Sequence, residues 1–306
     1  MSRKWWRRKR VWIPMTAVLG LLLLPALFAF NGLWLAHNES PVVGKEVSEH
    51  HLDDSPPAER ITILSYNIAK GSVHKTGLKF RSDTDVRQRI NRIAELIRDE
   101  KPDVAFISEV ILHCDPCPVD QVQVLARETG LVYWAFGENY NFGLPSYRIV
   151  GGNAILSRVP IEAETNMNLA GRQPFYVTKN NRRLLWGRIR MEHGEVLVGA
   201  VHNDSYSLNN NLAQTKQMLK YASGREAIIA GDFNARPHEP PMQSIRRSKQ
   251  FTADFDGPKT FPRRRPDQRI DFILAPEAWR AIEHRVIQSD ASDHLPIVSV
   301  YRLPQP

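Results

Sequence analysis

Cysteine is almost missing from this chain: of 306 residues only Cys114 and Cys117 are cysteines. A four-cysteine zinc site is therefore excluded, and the single C-x-x-C leaves a local disulfide and two free thiols equally open. No segment repeats itself and no flexible linker interrupts the chain after Glu59, which excludes a solenoid or a string of modules. The glycine-rich phosphate loops are also missing, because Gly151-Gly152-Asn153 has neither of their spacings. Finally, no acidic residue precedes Glu39, and no Asp, Glu, Lys or Arg lies between Val11 and Asn38.

That last pair of absences divides the net charge of +8. Arg3, Lys4, Arg7, Arg8, Lys9 and Arg10 carry six positive charges, leaving 35 basic against 33 acidic residues in the remainder. The basicity belongs to the tail and gives little support to nucleic acid as the partner of the folded part. The uncharged run, with Leu21 to Leu24 at its centre, has the length of a bilayer-spanning helix. Trp5, Trp6, Trp12 and Trp34 flank it as interfacial anchors do. Cations ahead of the run keep the N-terminus cytoplasmic and place the rest of the chain outside the cell membrane. A cleaved signal peptide is the competing reading, with a poor small-residue site at Leu27-Phe28-Ala29. The expected organisation is a basic cytoplasmic tail (1–10), a single-pass transmembrane signal anchor (11–36), a polar linker (37–59) that holds His50 and His51 in solvent, and one domain (60–304).

The domain alternates apolar runs with helical periods. Arg60 to Asn67 reads as a buried strand. Asp83 or Thr84 caps a helix with Val86, Ile90, Ile93, Ala94 and Ile97 on one face, stopped by Pro102. Residues 103–108 form a strand that delivers Glu109 at its end. A helix near Val119 to Glu128 comes next, then strands at 131–136, 150–157, 184–191 and 196–202. A further helix turns Leu208, Leu212, Thr215 and Leu219 to one side, and strands succeed it at 226–230, 269–274 and 297–301. This order suggests two packed sheets with helices outside, a doubly wound single sheet being the alternative.

The polar residues cluster at the ends of these runs. Tyr66-Asn67-Ile68, Ile107-Ser108-Glu109, Gly152-Asn153-Ala154-Ile155-Leu156-Ser157, Val201-His202, Gly231-Asp232-Phe233-Asn234, Arg269-Ile270-Asp271-Phe272-Ile273 and Ser292-Asp293-His294 stand in this order. In sequence and order they resemble the motifs of the endonuclease/exonuclease/phosphatase superfamily, from about Ile61 to Tyr301. The resemblance implies a four-layer α/β sandwich and a hydrolase of phosphoesters that attacks with water directly, without a covalent enzyme intermediate.

Phosphoester hydrolysis needs an oriented water, charge compensation and help for the leaving oxygen. Glu109 and Asn67 offer the oxygen ligands that suit Mg²⁺ or Mn²⁺, and the resemblance makes Glu109 the principal ligand, with Asp293 facing the metal side. Asp232 and Asn234 are two residues apart, so on an extended segment both face one side; the resemblance implies that Asp232 takes a proton from water while Asn234 fixes water or phosphate oxygen. An Asx-turn is a second reading of that pair, compatible with the first. His294 is the group for the scissile phosphate, with Asp271 implied as the carboxylate that orients it. His202 is a second phosphate-binding or proton-handling residue, and Asn153 a hydrogen-bonding residue of the same region. Two departures from the family pattern stand out. Asn203-Asp204 comes directly after His202, and Ala69 stands where some nucleases carry an acid, which puts a second metal in doubt.

Two substrate classes remain open. Arg182-Arg183, Arg246-Arg247 and Arg263-Arg264-Arg265 suit phosphate, or merely solvate loops. Thr260-Phe261-Pro262 resembles compact bacterial members similar to sphingomyelinases and lipid phosphatases. Phospholipid head groups near the anchor are favoured over nucleic acid, and a non-catalytic anchored binding module is disfavoured because every expected polar group is present.

Overall fold

The structure is a computed structural model that describes residues 3–31, 40–76, 79–144, 147–171 and 182–304. In chain order it contains α1 (Arg3–Phe30), β1 (Val42–Lys45), β2 (Arg60–Asn67), a tight turn at Ala69–Ser72, β3 (His74–Thr76) and β4 (Lys79–Phe80). Next come α2 (Asp83–Asp99), β5 (Val104–Cys114), α3 (Gln121–Thr129), β6 (Tyr133–Leu144), β7 (Tyr147–Ser157), β8 (Ile161–Asn168), β9 (Arg183–Met191) and β10 (Gly194–His202). The chain continues with α4 (Leu208–Ala222), β11 (Ala227–Asp232), α5 (Pro240–Ser248), β12 (Phe251–Thr252), β13 (Asp271–Pro276), β14 (Arg280–Val286) and β15 (Ile297–Arg302).

Two mixed sheets form, in the orders β1-β6-β7-β5-β2-β15-β14 and β12-β13-β11-β10-β9-β8. Side chains on a strand alternate between its faces, and this decides the layers. Ile61 and Ile63 of β2, Val104 and Phe106 of β5, Val198 and Ala200 of β10, Ile228 and Ala230 of β11 and Ile273 of β13 fill the space between the sheets. The alternate residues Leu64, Tyr66, Ala105 and Ile107 pack on α2 and α3. On the other sheet Ile229, Phe272 and Leu274 pack on Met218, Leu219, Met242 and Ile245 of α4 and α5. The result is helices, sheet, sheet, helices, as the sequence suggested.

Several elements differ from the sequence expectations. Strand β5 does not stop at Ser108 but runs to Cys114 through a bulge at Glu109. Residues 42–45, expected as free linker, pair with β6 as an edge strand, and Leu52 packs on the core. Ser82, not Asp83 or Thr84, caps α2 by accepting the Asp85 N–H at 3.1 Å. In α4 the buried face is Asn211, Gln214, Thr215, Met218, Leu219 and Ala222, while Leu208 is exposed; polar residues turn inward because they bond the site loops. Helix α5 opens on Pro240-Pro241, which breaks a helix interior but suits its first turn. Edge strands β8 and β14 are half exposed and lack a clean alternation. Cys114 and Cys117 are free and buried.

Residues 11–30 of the expected anchor fall in α1, several of whose side chains lie outside the described residues, as do residues 32–36 with Trp34. Among those described, no helix is long and apolar enough to cross a membrane, so the expected crossing helix gains no support from the fold. Asn31, just beyond α1, is buried and its amide grips Gly143 of the β6–β7 hairpin, donating to its carbonyl at 3.1 Å and accepting its N–H at 2.8 Å.

Candidate active site

The same alternation that builds the core between the sheets also builds the site. Asn67 succeeds Ile61, Ile63 and Ser65 on the inner face of β2, and His202 succeeds Val198 and Ala200 on β10. Asp232 succeeds Ile228 and Ala230 on β11, while Asp271 precedes Ile273 on β13. Registry then lines up three of them, with His202 beside Asp232 and Asp232 beside Asp271 on adjacent strands. Each is the inward residue at a strand end, where the apolar sandwich gives way to the rim.

Glu109 reaches this rim by a different device. Regular alternation would send it with Ile107 toward the helices, but its φ of 55° opens the bulge in β5. A left-handed non-glycine residue is a strained conformation of the kind found at functional sites. The bulge places Glu109 where Asn67 donates to its Oε1 at 3.3 Å, and Lys70 forms an ion pair with its Oε2. Asn67 also donates to Asp232 Oδ2 at 3.1 Å, so one amide bridges carboxylates from the two sheets. The Asn67 side-chain oxygen is occupied by the Ala69 N–H at 3.0 Å. Asn67 therefore enters as a bridge between carboxylates, with its amino group toward them.

His294 lies in the loop before β15. Its Nδ1 meets Asp271 Oδ2 at 3.0 Å and its Nε2 lies 3.8 Å from Asp232 Oδ2. Phe261 covers the imidazole with ring centroids 4.6 Å apart, and buried Thr260 donates to Asp271 Oδ2 at 2.6 Å. Burial pulls the His294 pKa down, but the Asp271 charge and hydrogen bond, with Asp232 and Asp293 behind them, outweigh it and raise it. The imidazole is thus held as a cation. Asp232 moves upward as well, first through burial and then through the charge of Asp271, against the pull of His294, the Asn234 N–H and Asn67. His202 behaves oppositely: burial and Arg182 keep it neutral. Its Nε2 stands 3.7 Å from Asp232 and 3.8 Å from Glu109.

Asn234 has a φ of 47° and donates its backbone N–H to Asp232 Oδ1 at 2.9 Å, closing the Asx-turn. Its side-chain amide donates to the Asn203 carbonyl at 3.1 Å. Buried Asn211 of α4 donates to the carbonyls of Asp204, Phe233 and Asn234. Asp204 braces the loop that enters this helix, accepting the Tyr206 and Ser207 N–H groups at 2.7 and 3.0 Å, and Ser207 caps the helix itself. The departure at Asn203-Asp204 is therefore a support for the Asp232–Asn234 turn. Neither Asn211 nor Thr260 was expected from the sequence as a site residue. Polar residues at inward helical positions were the only signal for Asn211, and nothing in the sequence pairs Thr260 with Asp271.

The remaining candidates fall at the margins. Asn153 is wholly buried on the inner face of β7, donating to the carbonyls of Arg183 and Ala200 at 3.4 Å, while its own oxygen lacks a partner. Asp293 is exposed, with Ser292 Oγ 3.3 Å from its carboxylate. Of the arginine clusters, Arg183 is buried, Arg246 pairs with Asp256 and Arg263 bonds the Asp290 backbone. A polar cavity of about 360 Å³ adjoins Asn234 and is lined by Asp204, Tyr206, Arg236 and Gln268.

Two groups of oxygen and nitrogen donors could hold a cation. Asp232, Asp271 and His294 bring donor atoms within 4.8 Å of one another, but there the imidazolium proton would have to leave before nitrogen could ligate. Glu109 with Asp232 offers only carboxylates, and Glu109 is ionised. Burial would raise its pKa, yet the Lys70 ion pair and the Asn67 hydrogen bond hold it below the ordinary carboxylate value. Carboxylate oxygens fit a hard divalent cation.

These observations define a class: an α/β sandwich whose rim gathers carboxylates and imidazoles from both sheets. The chain belongs to the Endonuclease/Exonuclease/phosphatase family, whose model matches residues 64–294. Members of this family are hydrolases acting on phosphoester bonds, typically with a divalent metal. No curated protein matches. Among solved structures, an endonuclease/exonuclease/phosphatase from Beutenbergia cavernae is 23% identical, covers 80% of this chain and 72% of its own, and has a TM-score of 0.61. The mannosyl-6-phosphatase of Bacteroides thetaiotaomicron is 16% identical over 78% of this chain and 98% of its own (TM-score 0.58). The human Nocturnin catalytic domain, solved with a bound sulfate anion, is 17% identical over 87% and 97% (TM-score 0.57). At these identities the likeness is one of fold.

Proposed function

We propose that this protein hydrolyses a phosphodiester or phosphomonoester by direct water attack, assisted by Mg²⁺ or Mn²⁺ held at Glu109. The observation that carries the reading is the convergence of Asp232, Asp271 and His294 with Glu109 and His202 at one rim, reached from both sheets. A bound divalent cation supplies positive charge to the phosphoryl oxygens. Asp232, with its raised pKa, accepts the proton of the attacking water. Asn234, fixed by Asn203 and Asn211, orients that water. Asp271 keeps His294 cationic, so the imidazolium faces the negative charge that develops on the phosphoryl group. Neutral His202 donates a hydrogen bond to a phosphate oxygen.

Phospholipid head groups are the favoured substrate. The uncharged N-terminal run supports a tether that places the domain outside the cell membrane, and Leu21, Leu22 and Leu23 of α1 stand exposed. The near balance of charge beyond the tail agrees, since non-specific DNA binding rests on many cation contacts. The second reading is a nuclease, favoured by Arg236 and the exposed Tyr206 beside the polar cavity, which offer charge for a further phosphate and a ring for stacking a base. Full-length protein is incubated with phospholipid vesicles and with plasmid DNA, with and without chelator. Metal-dependent release from vesicles that Asp232→Ala lowers by about 10²–10⁴-fold is expected. DNA nicking alone selects the nuclease, and no hydrolysis of either overturns the assignment.

A further inference from the structure

The turn just after Asn67 is unusual in its backbone. Ala69, Lys70, Gly71 and Ser72 have φ of 48°, 59°, 59° and 52°, four successive left-handed residues of which only one is glycine. At Gly71 an added Cβ would lie 2.7 Å from Ile90 Cδ1, which would have to move aside. The other three adopt a conformation that side chains resist, and the surroundings hold them to it. Ala69 donates to Asn67 Oδ1, the Lys70 carbonyl accepts Gln121 Nε2 at 2.8 Å and the Val73 N–H at 3.2 Å, and the Ser72 carbonyl accepts Arg81 Nε at 2.9 Å. Gln121 in turn accepts the N–H of Ile111 at 3.0 Å, tying the turn to β5 beyond the Glu109 bulge.

Two strained segments, fastened to each other, thus present one lysine to one glutamate. The pair is only partly buried, and ion pairs, exposed or buried, contribute modest net stability, so stability alone does not account for the arrangement. Lys70 is the cation paired with Glu109, its ammonium set on Oε2. The Lys70 ammonium therefore occupies an oxygen of the carboxylate that a divalent cation would use.

We propose that Lys70 is a tethered competitor for the cation site at Glu109, so that a metal ion binds only by displacing its ammonium and the metal affinity of the protein is set by this lysine. The inference rests on the metal-dependent reading above. Ion and ammonium compete for the same oxygen, and the fixed turn keeps the ammonium at high local concentration. The substrate-free enzyme is consequently a weak metal binder.

The test measures metal binding without substrate. Full-length protein is titrated with Mn²⁺, and the free ion is followed by its electron paramagnetic resonance signal. Lys70→Gln is expected to bind Mn²⁺ about tenfold more tightly than wild type, a difference of about 1.4 kcal/mol, and Lys70→Arg, which keeps the cation, to remain close to wild type. If circular dichroism shows Lys70→Gln unfolded, Lys70→Met makes the same comparison. Equal or weaker binding by the neutral variants overturns the proposal. Binding that survives Glu109→Gln unchanged puts the ion elsewhere and overturns the role of Lys70 while leaving metal dependence standing. Failure of wild type and all Lys70 variants to bind at millimolar Mn²⁺ overturns the metal reading itself.

Discussion

His294 and Asp271 show how one contact fixes the chemistry of a residue. Burial alone would leave the imidazole neutral, and Asp271 reverses that. The sign has consequences for pH. A histidine whose folded pKa is raised contributes stability in full below its unfolded value of about 6.5 and loses it as pH rises through the folded value. Activity that needs imidazolium therefore persists above the ordinary histidine range. With Asp271→Asn the alkaline limb of the pH–rate profile is expected to move toward lower pH, so the loss in kcat is larger at about pH 8 than at about pH 6; an unmoved limb would remove Asp271 from this role. Asp232 sets the other limb. Its raised pKa places the acid limb above the ordinary carboxylate range, which the same profile of the wild type reads.

At the scale of elements, the turn from β11 into the Asp232–Asn234 segment is held by α4. Asn211 donates to three carbonyls of the flanking loops, and no apolar residue could replace those bonds. Asn211→Leu leaves buried carbonyls unpaired at a cost of about 1–3 kcal/mol. Thermal unfolding should report that loss, and kcat should fall more than KM rises because the turn positions Asp232 and Asn234, the pair proposed to activate water. Gly231 belongs to the same turn. At φ 146° an added Cβ would lie 2.0 Å from the Val201 carbonyl oxygen. Gly231→Ala is accordingly expected to separate β10 from β11 and abolish soluble expression, whereas Gly224→Ala, which meets nothing within 4 Å, should be far milder.

Across the whole molecule the site exists only because two sheets face each other. Asn67 and Glu109 belong to one sheet, and His202, Asp232 and Asp271 to the other. Phe106, wholly buried between them on the strand that carries Glu109, is a direct probe of that docking. Phe106→Ala should lower stability by about 3–5 kcal/mol, read as a reduced denaturant midpoint. Activity should be lost at lower denaturant concentration than in the wild type, in step with the unfolding of both sheets.

The sequence by itself determined the strand cores, the face of α2, the order of the motifs and the identity of Asn67, Glu109, His202, Asp232, Asn234, Asp271 and His294 as a set. The strand cores and the face of α2 arise from local periodicity, which is written along the chain, whereas the set of polar residues was singled out by the resemblance of its motifs to those of the family. Tertiary structure decided the rest. The bulge that turns Glu109 into the rim, the capture of residues 42–45 as an edge strand, the inward polar face of α4 and the contacts of Thr260 and Lys70 depend on groups far apart in sequence. Hydrogen bonds between such groups reward conformations that local propensity disfavours, so no window of sequence reveals them.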